Sequence, residues 1–170
     1  MSNKILITYA SRTGSTAGIA ERIGKILTES GAEVDVLPMR EVSDLAKYKA
    51  VIAGSAIQSQ QWLPEAMQFL KAYREILASK TVVIFSICMT LAMPNGAKYR
   101  DEVAKWLDPV RQLVMPIDEG YFAGTLDINK IPGWMNKIKF HISVFLGVWK
   151  PGDHRNWSAI NTWVKNLEIF

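Results

Sequence analysis

Apolar runs short enough to be strands alternate with stretches of helical periodicity from the first residues to about Gly120, and few folds accept that alternation. Lys4 to Ala10 is apolar with little interruption, as a strand buried on both faces is. Ser15 to Ser30 follows with Ile19, Ile23, Ile26 and Leu27 on one helical face and Gly31 placed to end it. Glu33 to Met39 is a shorter, more alternating strand, as expected nearer a sheet edge, and Lys49 to Ala56 is a third. Pro64 opens a helix to about Leu77, with Met67, Leu70, Tyr73 and Leu77 on its buried side. Thr81 to Ser86 is the fourth strand, a helix runs from about Ala97 to Leu107, and Gly120 to Ala123 is the fifth. Crossovers of this length are right-handed and force a parallel sheet with helices on both faces.

A chain of 170 residues with 49% hydrophobic residues is large enough for one sizeable core, so one domain over residues 1–170 is expected. The net charge of +4 gives a mild preference for acidic partners or an anionic membrane surface, and no nucleic-acid role is read from it. One cysteine, Cys88, rules out an internal disulfide and a multi-cysteine metal site. Two histidines, His141 and His154, with no supporting carboxylate spacing point to no metal. The opening residues lack the length of a signal-peptide core or a spanning helix, so a cytoplasmic setting is expected.

In a doubly wound sheet ligands sit beyond the carboxyl ends of the strands, so the loop after the first strand is the first candidate for chemistry. It reads Ser11-Arg12-Thr13-Gly14-Ser15-Thr16. Hydroxyl side chains, a glycine that permits a tight turn, and a helix starting at once form a cup of donors suited to a phosphate dianion. The same residues also suit a plain helix cap, and from this loop alone both readings stand. Gly-x-x-x-x-Gly-Lys-Ser/Thr and Gly-x-Gly-x-x-Gly are both missing after the first strand, which excludes a nucleoside-triphosphate loop and a dinucleotide fingerprint. Thr8, Tyr9 and Ala10 stand where a receiver domain needs acidic metal ligands, and Ser55 stands where it needs a phosphorylated aspartate.

The run Tyr9 to Ala20 resembles the flavodoxin FMN-phosphate signature, Ser/Thr-x-Thr-Gly-x-Thr followed by a helix. Three further runs occur in the order seen in one branch of that superfamily: Val51 to Ile57 leading to Trp62-Leu63-Pro64-Glu65-Ala66, then Tyr121 to Leu126, then Gly152 to Ile160. Together they resemble the flavodoxin-domain family that includes menaquinone-dependent protoporphyrinogen oxidase. The resemblance implies a five-stranded parallel sheet of order 2-1-3-4-5, with a helical insertion at about residues 125–152 before the last helix. It also implies FMN as cofactor. Ser11, Arg12, Thr13, Gly14, Ser15 and Thr16 would then hold the phosphate. Ser55, Ala56, Ile57 and Trp62 from one loop, and Ser86, Ile87, Cys88 and Met89 from another, would flank the isoalloxazine ring. Trp62 is the candidate stacking residue, with packing as a helix-start aromatic as its alternative. Cys88 at a buried strand end is expected to be inert, and Met89 to pack.

Two features depart from electron-carrier flavodoxins. No Asp or Glu occurs from Ser55 to Pro64 or from Ser86 to Tyr99, so repulsion of a reduced anionic flavin is weaker and a less reducing flavin is expected. The overall charge also has the opposite sign to that of a carrier that docks basic partners.

In the insertion, Ile131 to Trp149 is an apolar-rich helical stretch broken by Pro151-Gly152-Asp153, and Asn156 to Glu168 is the final helix. Trp134, Ile138, Ile142, Phe145 and Trp149 share one face, while Lys137, Lys139, His141 and Ser143 lie around the other. Such a helix lies in the membrane interface, on the inner face, or packs on its own domain or on a second copy in a homodimer. The leading function is an FMN-dependent oxidoreductase with a quinone or similar acceptor and, by resemblance, protoporphyrinogen as donor. A flavodoxin-type electron carrier serving a redox partner is the alternative, and a flavin-free association module the third. Residue spacing assigns no catalytic side chain.

Overall fold

The computed structural model describes residues 4–131 and 133–169. Five parallel strands form the sheet: β1 (Lys4–Ala10), β2 (Val34–Pro38), β3 (Tyr48–Gln58), β5 (Thr81–Ile87) and β6 (Asp118–Phe122), in the order β2-β1-β3-β5-β6. That is the expected doubly wound arrangement. One element is added: β4 (Gln61–Trp62) pairs antiparallel with the end of β3. The alternating β2 is an edge strand, half-buried throughout.

Successive side chains of a strand point to opposite faces, and the core divides accordingly. Ile5 and Ile7 of β1 and Ile52 of β3 pack with Ile19, Ile23 and Leu27 of α1 (Ser15–Glu29) and with Ile160 and Val164 of α7 (Trp157–Lys165). On the other face Leu6, Ala10, Val51, Ala53 and Ile84 meet Ala66, Phe69 and Leu70 of α2 (Pro64–Ala72), Leu77 of α3 (Arg74–Leu77), Leu107, and Val110 of α5 (Asp108–Arg111).

Four helices are shorter than periodicity implies, among them α7, which starts at Trp157 and ends at Lys165 rather than running from Asn156 to Glu168. The run from Pro64 to Leu77 breaks at Tyr73, whose hydroxyl donates to the Val42 carbonyl at 3.0 Å and whose ring meets Phe69 at 4.9 Å. The stretch Ala97 to Leu107 is a 3-10 turn at Gly96–Tyr99 and then α4 (Arg100–Lys105). The insertion helix is α6 (Trp134–Phe145) and not Ile131 to Trp149; Pro132 lies outside the described residues. Gly147, at φ +74, ends α6: its N–H bonds the Val144 carbonyl at 3.0 Å, and the Val148 N–H bonds the Ser143 carbonyl at 2.9 Å. This is a Schellman stop, for which glycine supplies the left-handed residue at no steric cost. Trp149 therefore falls off the helical stripe. Gly152–Asp153, expected only as a breaker, forms β8, antiparallel to β7 (Thr125–Leu126), and closes the base of the insertion.

Candidate functional site

The registers put Ala10 opposite Ser55, Ser55 opposite Ser86, and Ser86 opposite Tyr121. The candidate loops therefore leave the sheet from one level at its carboxyl edge. Sequence separation vanishes there because adjacent parallel strands end in line.

The first loop is set by Gly14, whose φ of +95 lies in the left-handed region. Its N–H reaches back to Ser11 Oγ at 3.1 Å, and its carbonyl accepts the first helical bond from Gly18 at 3.0 Å. No side chain caps the N-terminus of α1, and its first turn carries no acidic residue. The loop hydroxyls thus make no capping bond to α1, and the N–H groups of its first turn form the positive end of the helix dipole. Thr16 adds to them. Its side chain is 1% exposed, and its Oγ1 is one of two buried side-chain oxygens among the described residues with no hydrogen-bond partner. Such a hydroxyl costs stability unless a ligand engages it.

Two loop residues are used differently from expectation. Ser15 is buried and its hydroxyl is engaged, with Oγ 2.6 Å from Thr125 Oγ1 and accepting the Thr125 N–H at 2.7 Å. It locks the loop to β7. Arg12 makes a two-pronged ion pair with Glu65 at the start of α2, one prong at 2.9 Å. Burial pushes the Glu65 carboxyl up, but the Arg12 guanidinium and a backbone N–H outweigh it and hold it below the usual range. Thr13 and Gly14 stay at the rim of an open cleft of about 600 Å³, across from Lys130, His141 and Arg155.

The loop after β3 is a tight hairpin, with Ile57 opposite Trp62 and Gln58 opposite Gln61. Trp62 is corrected from a stacking residue to a core residue: it is 3% exposed, and its Nε1–H donates to Ser86 Oγ at 2.8 Å. Ser55 and Ser86 are fully buried, and Ser55 Oγ accepts the Leu63 N–H at 3.1 Å while donating to the Ala56 carbonyl at 2.8 Å. These three side chains hold the two loops together from beneath and are not free to meet a ring. The half-buried Ala56, Ile57 and Met89 remain at the surface of the edge. Ile87 and Cys88 are buried, and the Cys88 N–H bonds the Phe122 carbonyl at 3.0 Å. After Cys88 the chain turns through a 3-10 segment, Met89–Ala92, that exposes part of an apolar surface.

A family profile described as a flavodoxin domain matches residues 6–144. The chain belongs to the flavodoxin-domain family. No curated protein matches the sequence. Oxidised flavodoxin 2 from Bacillus cereus superposes with a TM-score of 0.56 at 23% identity, over 85% of this chain and 99% of its own. Two-electron reduced flavodoxin from Megasphaera elsdenii gives 0.55 at 19% identity, over 75% of this chain and 88% of its own. A flavodoxin from the domain Archaea gives 0.51 at 19%, over 85% and 98%. At these identities the likeness is one of fold.

The flavodoxin-domain cofactor is FMN, and the residues of this chain fit its phosphate: an uncapped helix start, a left-handed glycine and an orphaned buried hydroxyl converge on one loop. Sequence reading missed Thr125, which holds Ser15, and Arg155. The Arg155 guanidinium lies over the Trp157 ring at 4.4 Å, pairs with Asp153 at 2.7 Å, and covers Gly18, where an added Cβ would come within 2.7 Å of Nη1. The glycine one turn into the first helix was the available signal of that close approach.

Proposed function

We propose that this flavodoxin-domain protein binds FMN and acts as an oxidoreductase, taking electrons from an organic donor and passing them to a quinone. The uncapped start of α1 with the buried, unpartnered Thr16 Oγ1 is the observation that carries the cofactor reading. Thr13, Thr16 and the backbone N–H groups of the Gly14 turn would hold the phosphate, with Ala56, Ile57 and Met89 at the ring. FMN supplies the electron and hydride chemistry when bound, and the chain's own part is to position it.

The ring-side loops favour an enzyme over a low-potential carrier. They hold no Asp or Glu between Ser55 and Pro64 or between Ser86 and Tyr99, and the next acid along, Glu65, is engaged by Arg12. Protoporphyrinogen is the donor suggested by the order of the four sequence runs. The visible absorption spectrum of the purified protein, before and after adding FMN, tests the cofactor; protein that stays colourless and takes up no flavin overturns it. With flavin bound, protoporphyrinogen-dependent reduction of a menaquinone analogue is expected, and absence of turnover would leave the carrier reading in its place.

A further inference from the structure

We infer that α6 is an interfacial anchor that lays its apolar face into an anionic lipid bilayer, a property beyond the redox reading and independent of it. None of the twelve residues of α6 is buried. Trp134 is 72% exposed, Ile142 54% and Phe145 90%, with Met135, Ile138 and Leu146 beside them. Lys137, Phe140, Ser143 and Val144 are only half-exposed, so the helix turns its narrower side toward the domain and its broad apolar side outward. An exposed patch of this kind, continuous along a helix, marks an interaction surface.

Charge says what covers it. From Ile128 to Gly152 the sequence carries Lys130, Lys137, Lys139 and Lys150 and not one Asp or Glu. The acids that border the segment are taken, Asp153 by Arg155 at 2.7 Å and Asp127 by its pairing with Lys130 at 4.0 Å. A second copy seated on this face would bring two such all-basic segments together with no acid on either to answer them, which opposes a symmetric dimer. A bilayer with anionic headgroups answers both features, the lysines at the surface and the apolar side chains beneath it. At about 1.5 Å per residue, α6 spans roughly 18 Å, well short of the ~30 Å hydrocarbon core, so it lies in the plane of the interface. Among the described residues no helix is long and apolar enough to cross a membrane.

Flotation of the full chain with vesicles of phosphatidylcholine alone, and with equal parts phosphatidylcholine and phosphatidylglycerol, tests this. Binding is expected on the mixed vesicles and not on the neutral ones, with release as salt is raised. The paired variant Ile142→Glu with Phe145→Glu should lose at least about tenfold in partitioning. Lys139→Gln and Lys150→Gln, both at exposed positions, should each lose about fivefold. All four positions lie outside the phosphate loop and the ring-side loops, and circular dichroism with thermal melting checks that the variants keep the fold. The anchor is overturned if the wild type ignores anionic vesicles, or if the glutamate variants bind as it does. Light scattering that shows a dimer broken by the same glutamates would overturn it in favour of a second copy.

Discussion

Thr8 and Thr16 both bury a hydroxyl without a partner, yet they stand in different places. Thr8 lies mid-strand in β1, between Leu37 and Ala53 on its neighbours, and Thr16 lies in the first turn of α1 at the phosphate loop. Valine keeps the shape and removes the hydroxyl, so each Thr→Val change should raise the stability of the flavin-free protein by about 1 kcal/mol. Only Thr16→Val should weaken FMN, by about 1 kcal/mol or roughly fivefold in Kd. Urea unfolding paired with flavin fluorescence titration reads both quantities. Unchanged FMN affinity in Thr16→Val would place the phosphate elsewhere. Trp62→Phe tests the packing role of that residue: it strands Ser86 Oγ in the interior and should cost about 1–3 kcal/mol in unfolding. A ring-stacking Trp62 would instead leave stability unchanged and lose flavin. The hydroxyl-rich loop was legible in the sequence because Ser, Thr and Gly before a helix have few uses. Which hydroxyl stays free was not, because Ser15 is claimed by Thr125, 110 residues away, and Trp62 by Ser86.

The hairpin joining β3 to β4 turns through two consecutive non-glycine residues in the left-handed region, Ser59 at φ +50 and Gln60 at φ +62. A two-residue turn with both centres at positive φ matches the twist of its strands, and glycine or asparagine ordinarily supplies it. Gln60→Gly relieves a left-handed cost of about 1–2 kcal/mol against a backbone-entropy loss of about 0.5–1, so a net gain of roughly 0.5–1 kcal/mol, read as a rise in the urea midpoint, is expected. A fall in the midpoint would mean the Gln60 side chain does work in the turn. The residues Ser-Gln-Gln carry no hairpin signature, which is why this loop read as open chain. Periodicity failed likewise at Tyr73, where a hydroxyl bound to the Val42 carbonyl interrupts a run whose apolar spacing continues unbroken. The long elements were legible because burial on a two-faced sheet leaves an uninterrupted apolar run, and their order was legible only through the resemblance to flavodoxins. Short elements depend on single contacts that no pattern displays.

At the scale of the molecule, four carboxyls among the described residues are held below their ordinary range, three of them tying separate elements together and the fourth pinning the turn after β8. Asp35 joins β2 to Lys4 and Tyr48, Glu65 joins α2 to the phosphate loop, Glu119 joins β6 to Arg111, and Asp153 joins β8 to Arg155. For Asp35, Glu65 and Glu119 burial opposes ionisation and their hydrogen-bond donors outweigh it; for Asp153 the Arg155 hydrogen bond leads. A carboxyl depressed in the folded state binds a proton more readily when the chain is unfolded. Its stabilisation is therefore complete above the unfolded values of about 3.9 for Asp and 4.3 for Glu, and is lost as pH falls from there through the lower folded values. Thermal midpoints measured from pH 7 downward should hold nearly level and then drop steeply below about pH 4. Glu119 is the best enclosed of the four side chains, at 20% exposure, and is met by two Arg111 bonds and the Tyr121 hydroxyl. Glu119→Gln should cost about 1–3 kcal/mol at pH 7 and flatten the acid limb, because the variant has no proton to gain there. A wild-type midpoint unchanged at pH 3, or a Glu119→Gln profile that falls in parallel with the wild type, would show that these links contribute nothing to holding the sheet edges and the two loop clusters in place.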